Sequence, residues 1–181
     1  AVQVTGYRTD GTVTESKLYG VRAGEKLIFV TKTEFSVDTA WFEVESDLPL
    51  IGYELFGTNN NQLLAGLGIP SNGERDQILP VVDLTADWYG LAIVNATTDT
   101  ADLTVTFYSG GSVLHTVTFS LDPGEKFVDV VEVLFEGAAG TVDYTDTDMV
   151  RIQSNVPVAA FCLEGDKGMN KVGGVLGAGV Q

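Results

Sequence analysis

Asp143, Asp146 and Asp148 are the residues best spaced in this chain to hold a cation. Within Asp143-Tyr144-Thr145-Asp146-Thr147-Asp148 their hard carboxylate oxygens could share one calcium ion held by a loop. The Asp-x-Asp-x-Asp-Gly loop with its distal Glu is missing, so an acidic, solvated turn ahead of a strand at Met149 is the competing reading. Calcium is the one cofactor the sequence suggests, and Asp99-Thr100-Ala101-Asp102 is a weaker place for it. Nucleophilic catalysis would depend on His115, the single histidine, which sits in strand-like alternation with no nucleophile-elbow sequence to serve. Phosphate-loop and dinucleotide fingerprints are absent: Gly66-Leu67-Gly68 opens no helix, and the glycines from Gly173 to Gly179 lack a suitably placed lysine. Paired carboxylates could serve a glycosidase, but no pair stands out. The expectation is a protein that is not an enzyme.

Three further features, a cysteine, a set of aromatic residues and a sequon, have a bland and a sharp reading. Cys162 is the only cysteine, so an intrachain disulfide is impossible; it reads as a small hydrophobe within an apolar run. Trp41, Trp88 and Tyr89 could stack on sugar rings, although packing is the commoner use of such residues. Asn95-Ala96-Thr97 is a formal glycosylation sequon, so a glycan is a candidate as a modification as well as a ligand.

The elements that must position these residues are almost all strands. Leu103 to Tyr108 alternates at period two and is rich in β-branched and aromatic residues; Ser109-Gly110-Gly111-Ser112 then turns it into Val113 to Leu121. Asp122-Pro123-Gly124 makes the next turn, Phe127 to Phe135 follows with a helical turn near its end, and Met149 to Gln153 pairs with Val158 to Leu163 around Ser154-Asn155-Val156-Pro157. No segment of about 12 residues carries a helical stripe. Short strands about 10 residues apart, separated by Gly and Pro turns, predict an all-β fold of antiparallel, immunoglobulin-like sandwiches.

The pattern is written twice. Ala23-Gly24-Glu25-Lys26 returns as Pro123-Gly124-Glu125-Lys126, an offset of 100 residues (124 − 24). Val44-Glu45-Ser46-Asp47-Leu48-Pro49-Leu50-Ile51-Gly52-Tyr53-Glu54-Leu55-Phe56-Gly57 returns as residues 152 to 165, an offset of 108 (154 − 46). The expected organisation is a first β-sandwich repeat over 1–76 and a second over 77–181, with Asn72 to Asp76 as the linker region. The copies differ at their start. The second opens with Trp88-Tyr89-Gly90-Leu91-Ala92-Ile93-Val94-Asn95, whose first-copy counterpart would precede residue 1. A first copy without that strand has unpaired backbone groups and an uncovered groove. The chain could simply be cut there, the domain could tolerate the loss, or the strand from Ile78 to Leu84 or the C-terminal tail could fill the gap from within. A neighbouring subunit could fill it instead by donor-strand complementation, through Val2 and Val4 of the N-terminal strand or Val172, Gly173, Gly174, Val175, Leu176 and Val180 of the tail.

These stretches resemble repeat motifs of secreted bacterial β-sandwich proteins, which read roughly W-x-G-[IL]-A-[IL]-V-N, then PGGK or PGEK, then V-x-S-x-x-P-[IL]-x-G-[FY]-E-L-F-G. The resemblance covers most of the chain and implies an extracellular or cell-surface setting, with no assigned activity to carry over. The second copy departs from the last motif at Ala160, Cys162 and Glu164.

Composition narrows the partners. With 44 % hydrophobic residues the chain can fill packed cores, while a net charge of −15 makes it a poor ligand for nucleic acid or anionic membranes. No apolar run approaches the 18 or so residues of a membrane span. No basic-then-apolar leader opens the chain, which starts in alternation at Ala1-Val2-Gln3, as either a processed or a trimmed chain would. The expected function is that of a non-catalytic extracellular structural protein that self-associates into a homo-oligomer, a surface filament or an adhesive assembly. The alternative is a monomeric carbohydrate- or ligand-binding module, marked by exposed Trp41 or Trp88.

Overall fold

The structure, a computed structural model, describes residues 1–57, 64–69, 73–136, 142–168 and 170–180. The described residues are all-β and antiparallel, with two α-helical turns and one 3-10 turn. The N-terminal strands are β1 (Val2–Tyr7), β2 (Val13–Tyr19), β3 (Trp41–Ser46), β4 (Tyr53–Gly57) and β5 (Leu64–Gly68), with α1 (Thr31–Glu34) between β2 and β3. The C-terminal strands are β6 (Glu74–Pro80), β7 (Asp87–Val94), β8 (Ala101–Ser109), β9 (Ser112–Leu121), β10 (Lys126–Val130), β11 (Met149–Asp166), β12 (Val172–Leu176) and β13 (Ala178–Gly179), with α2 (Val131–Leu134) after β10.

β11 organises the C-terminal set. Its first part pairs with β8 on one edge and β6 on the other. Its second part pairs with β7 and β12. The expected turn at Ser154 to Pro157 is therefore a handover within one extended strand of 18 residues. Pro157, which has no N–H to give a ladder, sits where the strand changes partners. β9 extends one sheet beyond β8, β10 extends the other beyond β7, and β13 borders β6. Alternate residues of these strands meet in a sandwich-like core that includes Leu79, Tyr89, Leu91, Ile93, Val105, Phe107, Val150, Ile152, Val158 and Cys162. A smaller core joins Val2, Val4 and Phe35 to Tyr19, Val21, Phe29 and Phe42.

The pairing pattern recurs along the chain. β1 runs against β2 from Val2–Tyr19 to Tyr7–Val13 with a bulge after Gly6; β8 runs against β9 through Leu103–Phe119 to Tyr108–Val113 with a bulge after Phe107. β3 lies on β1 with Trp41 opposite Tyr7 and Ser46 opposite Val2, and β11 lies on β8 with Met149 opposite Tyr108 and Ser154 opposite Leu103. β4 and β5 pair Tyr53 with Gly68 and Gly57 with Leu64; β11 and β12 pair Phe161 with Leu176 and Gly165 with Val172. The helical turns α1 and α2 stand at corresponding places, and each is followed by a buried phenylalanine, Phe35 or Phe135.

Two expectations need correction. The stretch from Lys26 to Lys32, which the repeat pattern predicts as the first-copy strand after the Ala23-Gly24 turn, is not a strand: residues 26–30 have no ladder partner among the described residues and α1 starts at Thr31. The linker region and the boundary at 76 fall on β6, which starts at Glu74. Asp76 is polar because it holds Arg151 across the ladder, its two carboxylate oxygens accepting from Nε at 2.8 Å and a terminal nitrogen at 2.6 Å. Of the proposed linker residues, Asn72 lies outside the described residues.

Candidate assembly surface

The two strand sets meet at a turn, and also where β5 lies against β12 and Phe56 stacks on Phe161. In Asp122-Pro123-Gly124-Glu125, proline presets φ, Gly124 takes φ +78°, and the Glu125 carboxylate accepts the Asp122 N–H at 2.8 Å. Arg22 to Glu25 repeats this geometry, with Gly24 at φ +78° and Glu25 accepting the Arg22 N–H at 2.8 Å. Only the later turn is docked. Lys126 N–H donates to the Thr9 carbonyl at 2.8 Å, and Asp10 bridges to Glu125. The Trp41 indole N–H donates to the Gly124 carbonyl at 2.9 Å while its ring stacks on Tyr7 at 4.1 Å. Lys126 Nζ reaches across to the Ala40 carbonyl at 2.9 Å; burial holds its pKa below the usual lysine range, and Glu54 pulls it partly back up. Around Gly24, a methyl group would meet nothing within 4 Å.

The N-terminal set has open edges where the C-terminal set is covered. β11 has β8 and β6 on either side of its first part, but β3 has β1 alone among the described residues. β11 has β12 and β7 on either side of its second part, but among the described residues β4 has β5 alone. β10 pairs with β7, whereas residues 26–30, which follow the Gly24 turn as β10 follows the Gly124 turn, have no strand partner among the described residues. Burial follows the strands. Ile152 and Val158 are 0 % and 1 % exposed, while the corresponding Val44 and Leu50 are 37 % and 46 % exposed. Ile28, Ile51, Tyr53 and Leu55 add to this exposed apolar surface. Between Ser46 and Tyr53 the chain is irregular, although β11 is continuous through the matching stretch.

The residues expected to be donated belong to the chain's own fold. Val2 and Val4 are buried in β1. Val172, Gly173, Gly174, Val175 and Leu176 form β12 on β11, with Gly174 so close to Leu67 that a Cβ would come within 3.0 Å of its side chain. Val180 is exposed, but its N–H donates to the Asp76 carbonyl at 3.0 Å. The reason is proximity: the tail reaches the β11 edge through a short connection, and closing a short loop costs little entropy. The tail and the strand containing Ile78 fill edges of the C-terminal set and leave those of β3 and β4 open.

The remaining candidates do other work. Asp143 accepts from Thr145 N at 2.9 Å and Oγ1 at 2.7 Å, capping a 3-10 turn over Tyr144–Asp146, and Asp148 accepts the Gly110 N–H at 2.7 Å. Among the described residues no cluster of three His, Cys, Asp or Glu side chains could hold a metal. Cys162 is fully buried, a packed hydrophobe. His115 is half-buried on edge strand β9, its ring near those of Phe107 and Phe135. Trp41 is committed to the docked turn. Trp88 is half-buried beside a cleft of about 60 Å³, which also borders Asp87, Glu132 and Lys167. Glu132 accepts from the Tyr144 hydroxyl at 3.1 Å and Asp87 Oδ2 from Lys171 Nζ at 3.0 Å, while Asp87 Oδ1 and the Trp88 indole nitrogen are buried without a partner among the described residues. The sequon is not presented, because Asn95 is fully buried and its Nδ2 donates to the carbonyls of Asp99, Leu121 and Asp122. No described helix is long and apolar enough to cross a membrane.

The sequence matches no protein-family model and no curated protein. Among solved structures, the crystal structure of Thermotoga maritima 1070 shares 17 % identity with a TM-score of 0.45, over 60 % of this chain and 96 % of that one.

Proposed function

We propose that this chain is a non-catalytic structural protein of the extracellular or cell-surface environment, built from two copies of one immunoglobulin-like β-unit. In this reading it assembles with neighbours of its own kind through strand complementation or edge pairing. The recurrence of registers, of the bulge, of the helical turn and of the glycine-glutamate turn supports the duplication, since convergence on all of these is improbable. The sequence resemblance to secreted bacterial sandwich repeats supports the setting. The single observation that carries the assembly is the contrast between covered β11 and open β3 and β4. Exposed, apolar edges of this kind are templates for another chain.

Sedimentation velocity over a hundredfold range of concentration, with negative-stain imaging, tests the proposal. The expected result is concentration-dependent association that weakens in the Val44→Lys, Leu50→Lys double variant. Monomers at every concentration, or association indifferent to these lysines, would overturn it.

A further inference from the structure

We infer that the open edges of β3 and β4 form an acceptor for one occupant: a polypeptide segment of about twenty residues with the chemistry of Glu74 to Val94, supplied by another unit of this kind. The inference rests on the duplication proposed above, and the C-terminal set supplies its geometry. There, β6 lies on the first part of β11 with Leu79 opposite Val150 and Gln77 opposite Ile152. The chain then crosses to the other sheet, where β7 enters between β11 and β10. Ile93 faces Ala160 on one side and Phe127 on the other, and Leu91 faces Cys162 and Asp129. The segment contributes Leu79, Leu84, Tyr89, Leu91 and Ile93 to the core, all at most 1 % exposed.

Transferred by the offsets of the two sets, the occupant's Leu79 equivalent falls opposite Phe42 and its Gln77 equivalent opposite Val44. Its Ile93 equivalent falls between Gly52 and Leu27, and its Leu91 equivalent between Glu54 and Phe29. Three features of the N-terminal set have one cause in this arrangement. Residues 26–30 lack strand pairing because β10 owes its pairing to β7. The stretch from Asp47 to Gly52 is irregular because no flanking strands carry β3 into β4. Val44 and Leu50 are exposed because the side chains that would cover them belong to the occupant. Neither the tail nor β1 can be that occupant, since both are spent within the chain, and β6 and β7 of a folded copy are spent likewise. The occupant is the equivalent segment of a unit that does not use it in its own core.

The experiment joins a second copy of residues 73–101 directly to Ala1 of the full chain, which places Val2 after the join as Leu103 follows the original. Hydrogen exchange is read by peptide-level mass spectrometry. The expected result is slowing of about tenfold or more over residues 26–30 and 41–55 with protection of the added segment. The same protection is expected when a peptide of residues 73–95 is added to the unmodified chain, which keeps the test valid should the fusion fold poorly. Aspartate at the added Leu91 and Ile93 equivalents is expected to abolish the effect. Free exchange in the added segment, or protection that survives the aspartates, would overturn the acceptor. Sedimentation separates the two ideas: association without peptide binding sinks this occupant and leaves the assembly reading, and peptide binding without association does the reverse.

Discussion

At the scale of single residues, several polar side chains fasten backbone. Asn95 donates one amide nitrogen to three carbonyls at the corner where β7, β8 and β9 converge, and its oxygen accepts from Thr97. Asn95→Ala strands those acceptors in a buried site, at an expected cost of about 2–3 kcal/mol in urea unfolding. The two turn glycines give a matched pair. Gly24 and Gly124 share φ +78°, so alanine brings the same strain to both, but a methyl at Gly124 lies 3.0 Å from Gly11 Cα. Gly124→Ala is expected to cost about 1 kcal/mol more than Gly24→Ala, the excess reporting the docked turn. Asp76 gives the pH dependence. Hydrogen bonding to Arg151 holds its carboxyl below the usual range, so its contribution is complete above the unfolded value of about 4 and is lost as pH falls through the folded value. Asp76→Asn is expected to lower stability by about 1 kcal/mol at neutral pH and to flatten that part of the acid limb.

At the scale of elements, local alternation made most strands legible, because period two and Gly or Pro turns are properties of a few adjacent residues. β8, β9 and the turn at Gly124 were readable for that reason, and so was the helical turn after β10. What depends on a partner was not. Residues 26–30 carry the same turn and a similar apolar content to β10 and remain unpaired, which the segment itself could not announce. Ser154 to Pro157 looks like a turn in isolation, yet partners on both sides draw it straight. The fate of the tail was hidden in the same way: a small, strand-forming segment suits donation and self-pairing equally, and the nearby β11 edge decides between them. Deleting residues 171–180 uncovers that edge and the core beneath Val175. The expected outcome is a lower melting temperature by several degrees with more aggregation on heating, seen by calorimetry and light scattering. A tail held for donation would leave the melting temperature of the monomer unchanged.

At the scale of the whole molecule, charge and open edges oppose one another. The open edges of the N-terminal set favour contact between copies, while a net charge of −15 on each copy favours separation. The candidate site shared this split in legibility. Its place was suggested by the Trp88-to-Asn95 motif, which the sequence carries once, whereas the residues lining it, Val44, Leu50 and Glu54, gain their meaning only beside the covered Ile152, Val158 and Cys162. Short-range edge pairing acts at contact, and the repulsion between copies acts over a Debye length of about 30 Å at 10 mM salt but about 10 Å at 100 mM. Raising ionic strength therefore weakens the repulsion and leaves the apolar contact in place. Association through β3 and β4 is expected to strengthen between 10 and about 300 mM sodium chloride, read as a rising sedimentation coefficient at fixed protein concentration. Complexes held by salt bridges would dissociate over the same range, so the sign of the change identifies the contact.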